Sequence, residues 1–501
     1  MLTAIRNVIA RLTSQPRAMY EAGKRWMGGK RSFIDALYRD ARFDADKATR
    51  AEIARKARYF EANNAIVNRL ADLFEQYTVG PNGITVIPSS SDERFNQSAA
   101  SEFAEWCKRC DFNGQISFQG MQGLTSRAQF IDGEGFWLKT SDMGLPAEPR
   151  LQMIESHRVA NPDEAVKSSR SHDGVALDSY GRPVGFWIDT AFPGAVNSVY
   201  QLKPSADVVH IWEPSRIGQL RGMSFLYPVL NDVHDLDDLG IFEMRAAKAS
   251  ADTTTVIYNE AGEIGADQLA EMQRSRFTSE VTNAEGTVSE EQRSKFYADS
   301  VGGRTVVAFR GDKVEQFVSQ RPSVAVQSFW DHIIAKICVG VGMSKLLVFP
   351  QSMQGTVVRA DLDVCDAWFR ARSSVMQGKV VEVYQWWLQW AVQNVKSLAN
   401  PPKDYLRCTV RAPRSVKVDV GYDSAAVISE LKAGIRNMES ICAPMGEDWR
   451  NVMRQSAKEA LFIQNLADEF GVPTHEIASK AYESAAQRAA MPAQQPPRIA
   501  A

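Results

Sequence analysis

Apolar residues recur at spacings of three and four through residues 222–252, GMSFLYPVLNDVHDLDDLGIFEMRAAKASAD. Leu226, Val229, Leu230, Val233, Leu236, Leu239 and Phe242 form one stripe, with only Gly240 inside the run. That period predicts a long amphipathic helix. At 1.5 Å per residue, roughly 25 residues span about 37 Å. The polar side is sorted along its length, Asp232, Asp235, Asp237 and Asp238 coming before Arg245 and Lys248, which is the order the helix macrodipole favours. Pro228 falls in the predicted first turn, where its missing N–H costs little. A helix with one apolar stripe and one charged face needs neighbours along its full length, from this chain or from copies of it.

Before that helix the pattern changes twice. Residues 1–68 are strongly basic, with RWMGGKR at 25–31. Residues 41–80 predict a helix buried along Ala51, Ala54, Ala57, Ala62, Ile66, Leu70 and Leu73 and ended by Gly80-Pro81. For the basic residues a solvated helix face with salt bridges is the plainer reading and phosphate contact the sharper one. A short strand at 84–88 precedes a helix carrying Phe95, Phe103, Trp106 and Phe112. A second helix runs through 118–130, and Gly133-Glu134-Gly135 is a predicted turn into a strand at 136–140. From 151 to 212 the period becomes two. LQMIE, VALD, PVGFWIDT, SVYQL and DVVHIW are short strands set apart by Gly, Pro, Asn and Asp, and they predict a β-rich domain that ends where the long helix begins.

After the helix, strands at 253–258, 305–309 and 314–317 flank a polar stretch at 260–299. Pro322-Ser323 then caps a second helix with Phe329, Ile333, Ile334 and Ile337 on one face. Two helices that leave and return around a polar insertion predict an antiparallel stalk. In residues 341–361 the periodicity is broken by Pro350, Gln351, Ser352, Gln354 and Gly355, which predicts a loop. It leads into a third helix, from about Ala360 to Leu398, rich in tryptophan at Trp368, Trp386, Trp387 and Trp390. Strands at 408–411 and 415–420 follow, then helical sequence at 423–487 broken at Gly446 and at Gly471-Val472-Pro473, and a disordered tail, MPAQQPPRIAA.

Composition narrows the classes. The 501 residues, 44% hydrophobic and 24% charged, suit several globular cores, about three by length. A net charge of −2 gives no global basic surface for nucleic acid. No apolar run approaches the roughly 20 residues of a membrane span. Arg6 and Arg11 interrupt the amphipathic N-terminus, so it predicts an arm docking on a partner rather than a signal peptide. The six cysteines are expected as reduced thiols.

Candidate chemistry is sparse. Cys107-Lys-Arg-Cys110 has redox or zinc spacing without a second pair or a nearby histidine, and is expected to be structural. The six histidines include no HxxxH pair. Asp232, Asp235, Asp237 and Asp238 would make a metal site only with ligands from another element; a solvated acidic face is the plainer reading. Gly340-Val-Gly342-Met-Ser-Lys345 lacks the spacing of a phosphate loop. The expectation is no enzyme, no cofactor and no metal.

Several stretches, in their order, are similar to the portal proteins of tailed bacteriophages, of the lambda-like branch: QGLTSRAQFIDGEG at 122–135, LQMIESHRVANP at 151–162, GVALDSYGRPVGFWI at 174–188, VVHIWEPSRIGQLRGMSFLYPVL at 208–230 and RQSAKEALFIQNLADEFG at 454–471. The turn at 216–224 into the long helix and the Gly181-Arg182-Pro183 strand entry carry most of the likeness. The resemblance covers most of the chain between about 51 and 471. LLVFP at 346–350 departs from it by lacking an acidic residue, and with a short crown and tail no long internal barrel extension is expected.

What the resemblance implies is an α+β portal-type fold assembled as a ring, usually of twelve copies, at the unique capsid vertex. Its parts would be a basic arm (1–50), a wing, helical then β-rich (51–224), a first stem helix (225–250), an α/β clip (251–310), a strand and linker (311–322), a second stem helix (323–340), a tunnel-loop region (341–362), a tunnel helix (363–400), wing strands (401–422), a helical crown (423–490) and a tail (491–501). The tunnel loop facing DNA would be Gln351, Ser352, Met353, Gln354, Gly355, Thr356 and Arg359. The stem wall of the channel would be Asp232, Asp235, Asp238, Arg245 and Lys248, and the clip surface for the motor Gln273, Arg274, Arg276 and Glu280.

The implied partners are further copies of the chain, double-stranded DNA in the channel, the terminase large subunit, the major capsid protein and a head-completion or connector protein, with no membrane. The implied place is the virion, after assembly in the host cytoplasm. Duplex DNA carries about one charge per 1.7 Å, so a wall of bases would hold it and an acidic or neutral wall lets it slide. Two other classes stay open on the residues alone: a metal-dependent nuclease using Asp232–Asp238, and an adaptor that forms no ring.

Overall fold

The computed structural model describes residues 40–162, 170–191, 197–252, 256–257, 306–307, 324–349, 356–411, 413, 427–442 and 449–471. Along the chain, a turn of helix at Ala41–Asp44 leads to α1 (Lys47–Asn63), α2 (Ala65–Thr78), β1 (Thr85–Pro88), α3 (Glu93–Cys107) and α4 (Phe118–Ile131). Next come β2 (Glu134–Ser141), β3 (Pro149–Ile154), β4 (Ser171–His172), β5 (Val175–Leu177), β6 (Pro183–Asp189), β7 (Tyr200–Pro204) and β8 (Val208–Trp212). The rest comprises α5 (Leu230–Asp252), β9 (Val256–Ile257), β10 (Val306–Val307), α6 (Val324–Val341), α7 (Lys345–Val348), α8 (Thr356–Asn394), β11 (Cys408–Arg411), α9 (Met438–Cys442) and α10 (Trp449–Phe470). The chain divides into two compact units, residues 1–68 with 225–351, and residues 69–224 with 352–501.

In the first unit α5 and α6 lie antiparallel. A Cβ on Gly340 would meet Val229, Lys336 bonds Asp232, and a Cβ on Gly240 would meet Trp330. One set of numbers falls as the other rises, as an antiparallel pair requires. Gly240, which looked like a flaw in the apolar stripe, is where the Trp330 ring lies against the helix at 3.2 Å from the would-be Cβ. Gly342, at φ +85°, ends α6, and the Ser344 hydroxyl accepts the Leu346 N–H to start α7. α1 joins this unit through Phe60, 6.5 Å from the His234 ring, and through Asn64, whose amide donates to Asp237 at 2.7 Å.

The second unit is built in three layers. Sheet β3-β2-β8 lies in the middle, with strict alternation. Phe136, Leu138, Ile154 and Val208 face sheet β4-β5-β6-β7 and pack on its Val175, Leu177, Phe186 and Ile188. Trp137, Leu151, Val209 and Ile211 face the other way, onto a core with Phe103, Trp106, Phe118, Tyr384, Trp387 and Leu388 from α3, α4 and α8. Two of its buried indoles have partners: Trp106 donates to the Pro149 carbonyl at 2.8 Å and Trp137 to the Thr125 hydroxyl at 2.7 Å, whereas the Trp387 N–H and the Tyr384 hydroxyl have none among the described residues. β1 pairs antiparallel with β11 across more than 300 residues of chain.

Several expectations are corrected. The single helix of 41–80 is interrupted: Asn64 is non-helical and its side chain accepts the N–H of Ile66 and Val67, capping α2. The buried line is therefore Ile53, Ala57, Phe60, Val67, Leu70 and Phe74, while Ala51 and Ala62 are exposed. α5 begins at Leu230 rather than 225, because Pro228 and the turn at 226–229 precede it. The stripe is buried through Leu236, but Phe242 is exposed. Glu134 and Gly135 belong to β2, not to a turn. Phe112 lies beyond the end of α3 and is half exposed.

α8 begins at Thr356, since nothing after Gly355 breaks the spacing that buries Val358, Leu362, Cys365 and Phe369. Thr356 and Arg359 are thus helical residues rather than loop residues. The predicted loop of 341–361 also holds the turn of helix α7. In 423–487 a break not predicted falls at Gly434, φ +71°, while α10 ends at Gly471, φ +65°, as predicted. Residues 1–39, the polar stretch 260–299, the strands predicted at 314–317 and 415–420, Gly446 and the tail lie outside the described residues.

Candidate channel wall and assembly surfaces

The predicted wall residues sit on α5, but they do not act together. Lys336 of α6 donates to Asp232 at 2.7 Å, so this carboxylate braces the stalk from within the chain. Asp237 accepts from Asn64, and burial pushes it above the usual carboxylate range while that bond works the other way. Asp238 is exposed, 3.6 Å from His234 one turn away. Asp235, Arg245 and Lys248 are exposed. At 3.6 residues per turn, Asp235, Asp238, Phe242 and Arg245 fall within about 80° of arc. The exposed face is thus mixed, acidic toward one end and apolar then basic toward the other.

Carboxylates directed to three different partners do not make the convergent set that a two-metal nuclease requires. Among the described residues, no group of three or more His, Cys, Asp or Glu is placed to hold a metal ion. The Cys107/Cys110 pair is buried, free and packed against Met121. Burial pushes the Cys110 thiol up to about 12 and raises Cys107 as well, so both stand as protonated thiols at neutral pH.

Exposed apolar side chains gather on the stalk among the described residues. Ile241, Phe242 and Met244 of α5 and Phe329, Trp330 and Val339 of α6 are exposed, Phe242 by 60% and Val339 by 77%. Apolar exposure along both helices of one hairpin is how an interface looks before its partner is in place.

A second site escaped the sequence reading. Glu134 is wholly buried at the start of β2, and the Arg221 guanidinium grips its carboxylate through Nε, at 2.9 and 3.0 Å, and Nη2, at 2.6 Å. The same carboxylate accepts from the Ser156 hydroxyl at 2.6 Å and the Gly222 N–H at 2.9 Å, and lies 3.0 Å from His210 Nε2. Arg221 also donates to the carbonyls of Val159, Asp173 and Ser156. Burial lowers His210 to about 4, although Glu134 pulls it upward, so its ring is neutral at pH 7, stacked on Phe136 at 4.3 Å. Gly133, at φ +92°, and Gly222 cross so closely that a Cβ on either would fall 2.1–2.2 Å from the other segment's backbone. The cluster anchors residues 221–224, the last of this unit before the chain enters the stalk.

The tunnel-loop residues Gln351, Ser352, Met353, Gln354 and Gly355 lie outside the described residues, as do Gln273, Arg274, Arg276 and Glu280 of the predicted motor-docking surface. Thr356 and Arg359 lie in the first turn of α8.

The family described as "Phage portal protein, lambda family" matches residues 36–351. The chain is 23% identical over 398 residues to portal protein B of Escherichia phage lambda, covering 73% of each chain. It is 21% identical over 338 residues to the portal protein of Escherichia phage N15, covering 62% of each. A relative from Halomonas phage phiHAP-1 is 26% identical over 217 residues, and there the match spans 42% of the relative's length. Among solved structures, a chain of the neck of the native gene transfer agent particle, computed with C12 symmetry, aligns over 79% of this chain and 92% of its own, with 13% identity and a TM-score of 0.41.

Proposed function

Since the chain belongs to the lambda family of phage portal proteins, we propose that it forms a closed ring, of twelve copies, at one vertex of a phage capsid and that double-stranded DNA enters and leaves through the ring. Portal proteins are structural and non-enzymatic. The observation that carries the ring is the uncovered apolar face of the α5–α6 stalk, Ile241, Phe242, Met244, Phe329, Trp330 and Val339. A neighbouring copy supplies the missing partner in a heterologous, head-to-tail contact that closes on itself.

In this reading the stalk is the stem. The acidic part of its exposed face, Asp235 and Asp238, suits a wall that repels phosphate, whereas Asp232 is a stem brace. Gln351, Ser352, Met353, Gln354 and Gly355 form a neutral loop against DNA, with Thr356 and Arg359 on the helix behind it. Residues 251–310 form the clip, with Gln273, Arg274, Arg276 and Glu280 toward the terminase large subunit, which supplies the work, and later toward a connector protein. The capsid protein surrounds the wing.

Replacing Phe242 and Val339, exposed by 60% and 77%, by glutamate tests the ring. Sedimentation is expected to shift from large particles to single copies, with the thermal transition of the single copy moved by no more than a few degrees. Large particles formed by the variant as readily as by the wild type would leave the stalk without its proposed role.

A further inference from the structure

Sheet β4-β5-β6-β7 is the outer layer of its unit, and its outer face is apolar. Apart from Ser171 at the β4 edge and Asp189 at the end of β6, the described residues that alternate away from the core are Ala176, Gly185, Trp187, Tyr200, Leu202 and Pro204, with Trp187 directly opposite Leu202. Leu202 and Pro204 are exposed, and Ala176, Trp187 and Tyr200 are half-buried. An antiparallel sheet with one face on the core ordinarily carries polar residues on the other. The carboxylate on this face, Asp189, is turned into the β6–β7 connection, where it accepts from the N–H groups of Ala191 and Val199. The centre of the face therefore carries no charge, as the centre of an interface does.

The same unit carries a projection of matching chemistry. At the tip of the β2–β3 hairpin, Met143 and Leu145 are fully exposed, yet the tip is held rigidly. Asp142 accepts from the N–H of Gly144 at 3.0 Å and of Glu148 at 2.8 Å, and its own N–H donates to the Glu148 carbonyl. The surrounding charges pair with each other: Arg150 with Asp142 and Glu148, and Arg109 with Glu148. A braced turn that presents two apolar side chains inside a neutral collar has little entropy to lose on docking.

We infer that the hairpin tip, Met143 and Leu145, of one copy seats on the outer face of sheet β4–β7, at Trp187 and Leu202, of the next copy. A head-to-tail ring needs two different, complementary patches on every chain. This unit carries one convex and one flat patch, both apolar and both with their charges already satisfied. The inference rests on the ring proposed above and adds to it a second contact, at the level of the wing and independent of the stalk.

The test is a disulfide between copies. Leu145→Cys combined with Leu202→Cys is oxidised in the assembled protein and run without reductant. Background from the native thiols is low, because Cys107, Cys110, Cys338, Cys365 and Cys442 are buried and Cys408 is partly so. A ladder of covalent multimers with the pair, absent with either single variant, is expected. Alongside it, Met143→Glu/Leu145→Glu should weaken self-association at least about tenfold while the isolated chain keeps its circular dichroism. If the wild type forms rings but the pair gives no ladder and the double glutamate variant assembles normally, the wing contact is wrong and the ring stands. If the wild type forms no large particle at all, the ring itself fails and this contact fails with it.

Discussion

The stalk and the Glu134–Arg221 junction solve opposite problems. At the junction every charge is inside and paired: Glu134 has Arg221, Ser156, Gly222 and His210 around it, and Arg221 reaches three carbonyls besides. On the stalk the apolar residues are outside, Phe242 and Val339 among them, and the charges that pair do so at the surface, Lys336 with Asp232. The junction is complete within one chain. The stalk leaves apolar side chains exposed, the face that the proposed ring would cover. One region satisfies its polar groups internally, and the other keeps apolar surface free for the proposed assembly.

That contrast can be broken most severely at the junction. Glu134→Ala leaves the Arg221 guanidinium buried without its carboxylate, which costs about 3–5 kcal/mol. The urea midpoint of the unit's unfolding should fall accordingly, with the thermal transition lowered by several degrees. A loss under about 1 kcal/mol would mean that water reaches Arg221 and that the cluster is not closed.

Acid acts on the same cluster next. His210 stands at about 4 in the folded protein, below its unfolded value near 6.5. As pH falls from 6.5 toward 4 the unfolded chain takes up a proton that the folded chain refuses, so stability is present above 6.5 and is lost across that window, by about 3 kcal/mol in all. His210→Phe should flatten the profile between pH 6.5 and 4. An unchanged slope would assign the acid sensitivity to other groups.

Glycine substitutions compare the stalk with the long helix α8. Gly340→Ala places a methyl 2.3 Å from the Val229 side chain and should cost about 1–3 kcal/mol despite the better helix propensity of alanine. Gly378→Ala meets nothing within 4 Å and should gain up to about 1 kcal/mol. Chemical denaturation of the two variants reads the difference in sign, and Val229→Ala should recover part of the Gly340→Ala loss. Smallest of all is Asp232→Asn. Its partner Lys336 is well exposed, so the loss is expected below about 1 kcal/mol and should shrink further at high salt. A larger loss would make the bridge a main support of the stalk.

Much of this architecture was legible before any coordinates. The 3–4 spacing from Leu226 to Leu236 and from Phe329 to Ile337 located the stalk, because helix pairing is written in local periodicity. Most strands of the two larger sheets were legible for the same reason, as short apolar runs set apart by turn residues, although β4 was not. Where helices began was less so: Asn64 caps α2 through a side chain, and α8 starts directly after Gly355, events set by single residues.

The junction was missed because Glu134 and Arg221 are 87 residues apart and nothing local joins them. A signal was nevertheless present. Glu134 alternates with Phe136 and Leu138, and His210 with Val208, so both polar groups fall on the core face of their strands, where a buried partner is obligatory. The acidic run at 232–238 misled in the other direction. Proximity in sequence suggested convergence, while 100° between successive residues sends Asp232, Asp237 and Asp238 to different neighbours.

The central claim is that one chain of 55.7 kDa is a fraction of a closed ring. Native mass spectrometry of the purified protein measures that directly. A single dominant species is expected at an integer multiple of the chain mass, twelve in the proposed ring, falling to one copy in Phe242→Glu/Val339→Glu. A wild-type protein that stays a monomer or dimer at high concentration would contradict it.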